Sequence, residues 1–113
     1  MYKNESKVFF KTREVDWEPA DIGITRQLVA YNDDLMLVSV SFEKGAIGTL
    51  HKHVHSQASY IVSGEFEITI AGESQLLKAG DGFYVPPNAL HGAKCIEPGI
   101  LIDSFNPYRE DFL

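Results

Sequence analysis

The stretch Gly45-Ala46-Ile47-Gly48-Thr49-Leu50-His51-Lys52-His53-Val54-His55-Ser56-Gln57-Ala58-Ser59-Tyr60-Ile61-Val62-Ser63-Gly64 decides how this chain is read. His51, His53 and His55 stand at alternate positions, and on one extended strand such residues point to the same face about 7 Å apart. Two of them can therefore share a metal ion. A flat strand from His51 to Gln57 would stretch about 20 Å, too far for ligands whose bonds to one ion are about 2 Å long. The spacing predicts a reversal after His53, at Val54-His55-Ser56, which brings Gln57 back toward the pair at the start of the next strand. His91, beyond the Pro86-Pro87-Asn88 turn, is then placed to supply a fourth ligand from a distant strand. The competing reading of clustered histidines is a solvated face or an accidental metal trap, and for His55 that reading, or a role supporting the ligands, is preferred.

Outward from this stretch the apolar residues alternate with period two and show no helical spacing. Thr25 to Tyr31 and Leu35 to Phe42 are strand-like runs joined by Asn32-Asp33-Asp34, whose short polar side chains favour a tight reversal. Further strands are predicted around Leu50 to His53, Ser59 to Val62, Phe66 to Ile70, Gln75 to Lys78, Phe83 to Val85, Leu90 to Ile96 and Ile100 to Phe105. Ser63-Gly64-Glu65, Gly72-Glu73 and Ala79-Gly80-Asp81-Gly82 read as turns between them. Proline breaks a sheet ladder, so Pro86-Pro87-Asn88 marks a strand end. Val8-Phe9-Phe10 reads as a candidate edge strand and Trp17-Glu18-Pro19 as a packed turn. The fold class is all-β, a barrel or sandwich, with an N-terminal arm over about 1–24, a barrel over about 25–106 and a tail over 107–113.

The 113 residues suit one domain, and 44% hydrophobic with 23% charged residues is an ordinary globular balance rather than a disordered one. A net charge of -6 argues against nucleic acid as a partner. A small anionic ligand remains compatible, because a metal and one arginine set the local potential whatever the total charge. The polar opening residues and the lack of a long apolar run predict a cytoplasmic protein with no membrane partner. Cys95, the only cysteine, has no partner for a disulfide within the chain and reads as a small core residue. An apolar N-terminal strand on a small barrel needs a cover, which makes a homodimer the expected assembly.

Two spaced motifs then connect these features. Gly45, His51, His53, Gln57 and Gly64 stand at the spacings of glycine, His-x-His, Glu and glycine in the first motif of the cupin superfamily, with Gln57 in place of Glu. Gly80, Pro86 and His91 match the second motif, in which Asn88 replaces a glycine and Cys95 an asparagine. Residues 65–79 make the short intermotif segment typical of small microbial cupins. The resemblance covers Gly45 to Cys95 and implies a double-stranded β-helix, or jelly roll, holding one divalent transition metal ion inside the barrel. The ligands would be His51, His53, Gln57 and His91. Three neutral imidazoles and a neutral amide leave the full charge on that ion, which favours an anionic substrate, and imidazole suits Zn, Ni, Fe, Mn and Cu alike.

The tail Asp103-Ser104-Phe105-Asn106-Pro107-Tyr108-Arg109-Glu110-Asp111 adds a second resemblance. Read as a strand, it puts Asp103 and Phe105 on one face, while Arg109 by itself reads as a surface residue paired with Glu110 or Asp111. Together with His-x-His-x-x-x-Gln and Val85-Pro86-Pro87-Asn88, however, the tail is similar to the uronate-linearising cupins of pectin and alginate breakdown. That resemblance implies ring opening of unsaturated uronic acid monosaccharides, with Asp103 as acid/base, Phe105 as a wall against the sugar and Arg109 as a carboxylate clamp. The alternatives are a metal-dependent dioxygenase, a sugar isomerase or epimerase of another kind, a non-catalytic cupin that binds sugar or another small ligand, and a stability or storage role that would need no metal. No helix-turn-helix pattern accompanies the barrel, which weakens a regulatory version of the ligand-binding cupin.

Overall fold

The computed structural model describes Met1–Leu113. Eight strands, β1 (Glu18–Asp21), β2 (Ile24–Asn32), β3 (Leu35–Phe42), β4 (Ile47–His51), β5 (Ser56–Ile70), β6 (Glu73–Lys78), β7 (Gly82–Val85) and β8 (His91–Asn106), carry the architecture. No helix is long and apolar enough to cross a membrane. The frame is the antiparallel pair of the two longest strands, β5 and β8, in register from Ser56 opposite Asn106 to Ile70 opposite His91. Along one half of this pair β8 is flanked by β3, which continues to β2 and β1, and β5 is flanked by β7. Along the other half β4 lies beside β8 and β6 beside β5. The two halves face each other as the sheets of a double-stranded β-helix, and the site lies between them.

The long strands bend without ending. The β5–β8 register shifts between Ile61 and Ser63, Ser63 and Glu65, and Glu65 and Phe66, and bulges of this kind turn a strand while keeping its pairing. Gly64 has φ +85°, and a Cβ there would lie 2.6 Å from the carbonyl oxygen of Glu97, while one on Gly99 would run into Ser63. Only two glycines let the strands cross so closely. Ser63-Gly64-Glu65 and Glu97-Pro98-Gly99, which look like strand breaks in the sequence, are therefore bends inside β5 and β8.

Alternation along the strands puts one face inside. Ile24, Phe42, Ile61, Phe66, Ile68, Cys95 and Leu101 form the main core, with Phe42 and Phe66 edge to face at 5.1 Å. Met36, Val38 and Phe105 form a second cluster toward the C-terminal tail. Cys95 is 1% exposed, as expected for a core residue. Two expectations about the arm differ from the structure. Glu18–Asp21 is the edge strand β1 rather than a turn, and an edge is where Pro19 is tolerated. Val8-Phe9-Phe10 forms no strand; the arm is held instead by the Ser6 N–H on the carbonyl of Tyr31 and by Gln27, which donates to the carbonyls of Thr12 and Val15.

Candidate active site

His91 opens β8 and pairs directly with His51, the last residue of β4, so their rings face each other at 4.3 Å between centroids. His53 is not on that strand. β4 stops at His51, two residues short of the predicted strand end, while the chain bends at Val54 and His55 and enters β5 at Ser56, where the spacing predicts the reversal. The position of His53 is fixed from below by the Pro86-Pro87-Asn88 turn: the Asn88 N–H donates to the carbonyl of His53 at 2.8 Å, with Asn88 at φ +64°. The centroid of the His53 ring is then 4.8 Å from that of His91. Ligand nitrogens of His51, His53 and His91 all lie within 4.8 Å of one another.

The ring protons can be assigned from their partners. Nδ1 of His51 faces the carbonyl of Thr49 at 2.9 Å, Nδ1 of His53 that of His55 at 3.1 Å, and Nδ1 of His91 that of Ala89 at 2.9 Å. A carbonyl only accepts, so each Nδ1 is the N–H donor and each Nε2 carries a lone pair. Burial, the main cause, lowers the pKa of His91 to about 4 and pushes that of His53 down as well, so neither ring gains a second proton near neutrality. Backbone carbonyls that orient imidazoles in this way are the usual outer support of a metal site.

Gln57, the second residue of β5, completes the donor set. Its amide nitrogen donates to Ser59 Oγ at 3.0 Å and to Asp103 Oδ1 at 3.3 Å, which turns its Oε1 toward His53 Nε2 at 3.0 Å. Two acceptors thus meet without a hydrogen between them. His91 Nε2 is likewise buried with no hydrogen-bond partner. A lone pair against a lone pair and an orphaned buried imidazole nitrogen are what a divalent cation would satisfy, and three imidazoles with one amide oxygen suit a transition metal. The residues fit such an ion.

Asp103 stands on β8 opposite Ser59 of β5, and the Ser59 hydroxyl donates to its Oδ1 at 2.6 Å. Desolvation pushes the Asp103 carboxyl above the ordinary carboxylate range, opposed by the bonds from Ser59 and Gln57 and by the charge of Arg109. Phe105, two residues on, is buried with its ring edge-on to His53 at 5.7 Å. Gln57, Asp103, Phe105, His51, His91 and Arg109 border one cavity of about 290 Å³. Arg109 is paired with Asp111 through Nε at 3.0 Å and Nη2 at 2.9 Å, as its sequence context suggests, but its side chain is only 12% exposed and borders the cavity rather than lying on the surface.

Several residues at the cavity carry no motif in the sequence. Ser59 holds Asp103. Arg26 and Phe112 border the cavity at its mouth, with the Arg26 guanidinium 3.8 Å from the Phe112 ring centroid. His55 touches neither the ligand nitrogens nor the cavity; its Nε2 donates to the carbonyl of Tyr108 at 3.1 Å, the residue before Arg109. A signal for two of them was present: Arg26 and Ser59 are polar residues on the inward-facing positions of alternating strands, where an apolar side chain is the rule.

Comparison with known proteins agrees with this geometry. The family profile described as cupin domain matches residues 38–105. The chain is 47% identical over 107 residues to the pectin degradation protein KdgF of Dickeya dadantii, covering 93% of this chain and 97% of that one. Among solved structures, an RmlC-like cupin from Shewanella frigidimarina superposes with TM-score 0.94 at 46% identity, covering 96% of this chain and 98% of that one. KdgF from a Halomonas species superposes with TM-score 0.91 at 44% identity over 96% of this chain and all of the other. Profile, relatives and the bent β5–β8 frame agree, and the chain belongs to the cupin family.

Proposed function

We propose that this chain is a metal-dependent enzyme of pectin breakdown that opens the ring of unsaturated uronate monosaccharides to the linear keto acid. The observation that carries this reading is Gln57, whose oxygen faces the imidazole cluster while its nitrogen bonds Asp103. The amide puts a half-buried acid/base group beside a metal donor set, in a cavity sized for one sugar ring. The name of the relatives, a pectin degradation protein in Dickeya and KdgF in Halomonas, points to the same substrate class. His51, His53, His91 and Gln57 would hold the divalent ion, which supplies Lewis-acid polarisation of a substrate oxygen when bound.

The chemistry asked of the protein is one proton transfer and one bond cleavage. Asp103 takes the proton of the anomeric hydroxyl as the C1–O5 bond breaks and the aldehyde forms at C1, with the electron pair left on O5. The C4=C5 double bond then becomes the C5 carbonyl as the same carboxyl returns its proton to C4. No oxidant or reductant is consumed. A carboxyl whose pKa burial pushes up suits a group that both accepts and donates. Arg109 holds the substrate carboxylate, and Phe105 forms a wall of the cavity. Val8 and Phe9, 89% and 86% exposed, support a homodimer in which a second copy covers the arm.

The test follows the ultraviolet absorbance of an unsaturated uronate monosaccharide, whose alkene is conjugated to its carboxylate. Accelerated loss of that absorbance, abolished by chelator and by Asp103→Asn, is the expected result. Tightly bound metal with no acceleration would overturn it.

A further inference from the structure

Two arginines border the cavity, and they are not in the same state. Arg109 closes its guanidinium fork on both oxygens of Asp111. Arg26, on the inward face of β2 opposite Val40, uses only Nε, which donates to Glu18 Oε1 at 2.8 Å. Its two terminal nitrogens make no hydrogen bond within the chain. The Arg26 side chain is 21% exposed, so the charge is partly desolvated where it meets the cavity. The Phe112 ring lies 3.8 Å from the Arg26 guanidinium carbon and 4.4 Å from that of Arg109, which fixes both cations at the mouth.

From this asymmetry we infer that Arg26 is a second substrate-contacting residue, which binds the substrate's carboxylate and shares it with Arg109. An entering sugar acid finds both terminal nitrogens of Arg26 without a partner, whereas on Arg109 Asp111 already engages Nε and Nη2 and leaves only Nη1 without one. Two terminal N–H donors of a guanidinium match the two oxygens of a carboxylate. Glu18 holds Arg26 from behind and leaves that edge presented. The inference rests on the uronate reading for the identity of the substrate, while the preference for a carboxylate over a neutral sugar follows from Arg26 alone.

The experiment uses the metal-loaded full chain and measures KM and kcat for an unsaturated uronate, together with calorimetric binding of galacturonate and of galactose, in wild type, Arg26→Gln, Arg26→Lys and Phe112→Leu. Arg26→Gln is expected to raise KM and to weaken galacturonate by about tenfold, the scale of a charge-assisted hydrogen bond, with kcat little changed and galactose unaffected. Arg26→Lys keeps the charge without the fork and should show a smaller loss, which also serves if Arg26→Gln does not fold. Unchanged KM and galacturonate affinity in both arginine variants would overturn the assignment while leaving the enzyme reading intact. An equal loss in Phe112→Leu would also overturn it, since Arg26 would then act only as a brace for the ring. If wild type turns over no uronate, the enzyme reading falls and galacturonate binding decides: loss in the arginine variants upholds Arg26 as a carboxylate site, and no binding by wild type, or equal affinity, removes it.

Discussion

His53 Nε2 and Gln57 Oε1 face each other at 3.0 Å with a lone pair on each. Neither can turn away. The ring is held by its Nδ1–H on the carbonyl of His55, and the amide by its donation to Ser59 and Asp103. A cation between them converts a repulsion into two bonds, so a divalent transition metal should stabilise the metal-free protein. At a hundredfold excess over Kd the gain is about 2.7 kcal/mol, and His91→Ala should abolish most of it. Thermal unfolding with and without Zn, Ni, Mn, Fe and Cu measures this directly; a midpoint that none of the five raises would remove the metal from the site.

The same imidazoles make the metal-free protein sensitive to acid. His91 is lowered from 6.5 to about 4 by burial, so between those values the unfolded chain binds a proton that the folded chain refuses. Stability therefore rises with pH through that window and falls as pH drops from 6.5 toward 4. At 1.36 kcal/mol per unit the ceiling is about 3 kcal/mol, and coupling to His53, lowered in the same direction, spreads the effect over both rings. Denaturant unfolding of the chelator-treated protein at a series of pH values should show this slope. In His91→Leu it should be markedly flatter, and an equal slope in that variant would place the titration elsewhere.

The fold was legible in the sequence because its strands alternate and its turns carry Gly, Pro and Asn. What the sequence hid was continuity: Ser63-Gly64-Glu65 and Glu97-Pro98-Gly99 have turn composition, yet pairing with the opposite strand carries both segments on as bulged strand. The convergence of His51, His53 and His91 beside Gln57 was readable from spacing and family motif, although β4 ends at His51 and leaves His53 in the segment before the bend. Arg26, Ser59 and Phe112 needed the third dimension. Their partners are Glu18, Asp103 and the two arginines; a polar residue at an inward position flags Arg26 and Ser59, but only the contact across the barrel says what each one holds.

Ser59 tunes the proposed acid/base. Its hydroxyl donates to Asp103 Oδ1 and so favours the ionised carboxylate, working against the desolvation that raises its pKa. Ser59→Ala removes that support, and the Asp103 carboxyl should rise further. The form that accepts a proton then appears only at higher pH, so the acid limb of kcat/KM should move upward while metal content stays unchanged. Asp103→Asn should lower kcat by about a hundredfold or more, the ordinary worth of general acid/base catalysis, again with metal retained. A pH–rate profile of Ser59→Ala that coincides with wild type would dissociate this pair from the reaction.

His55 links the imidazole cluster to the tail. Its carbonyl accepts the Nδ1–H of His53, and its own ring donates from Nε2 to the carbonyl of Tyr108, one residue before Arg109. On the proposed function, this bond to the residue before Arg109 makes His55 a positioning residue. Phe keeps the ring but loses the donor, so His55→Phe leaves a part-buried carbonyl unpaired, at a cost of about 1–3 kcal/mol. The strain falls on the tail, and KM for an unsaturated uronate should rise several-fold with bound metal unchanged. Gln places an amide N–H near the position of Nε2, so His55→Gln should recover most of the loss. Steady-state kinetics with metal analysis on the two variants separates the roles: equal losses in both would make the ring's packing against Phe105 the cause, and loss of metal in either would place His55 among the groups that hold the ion.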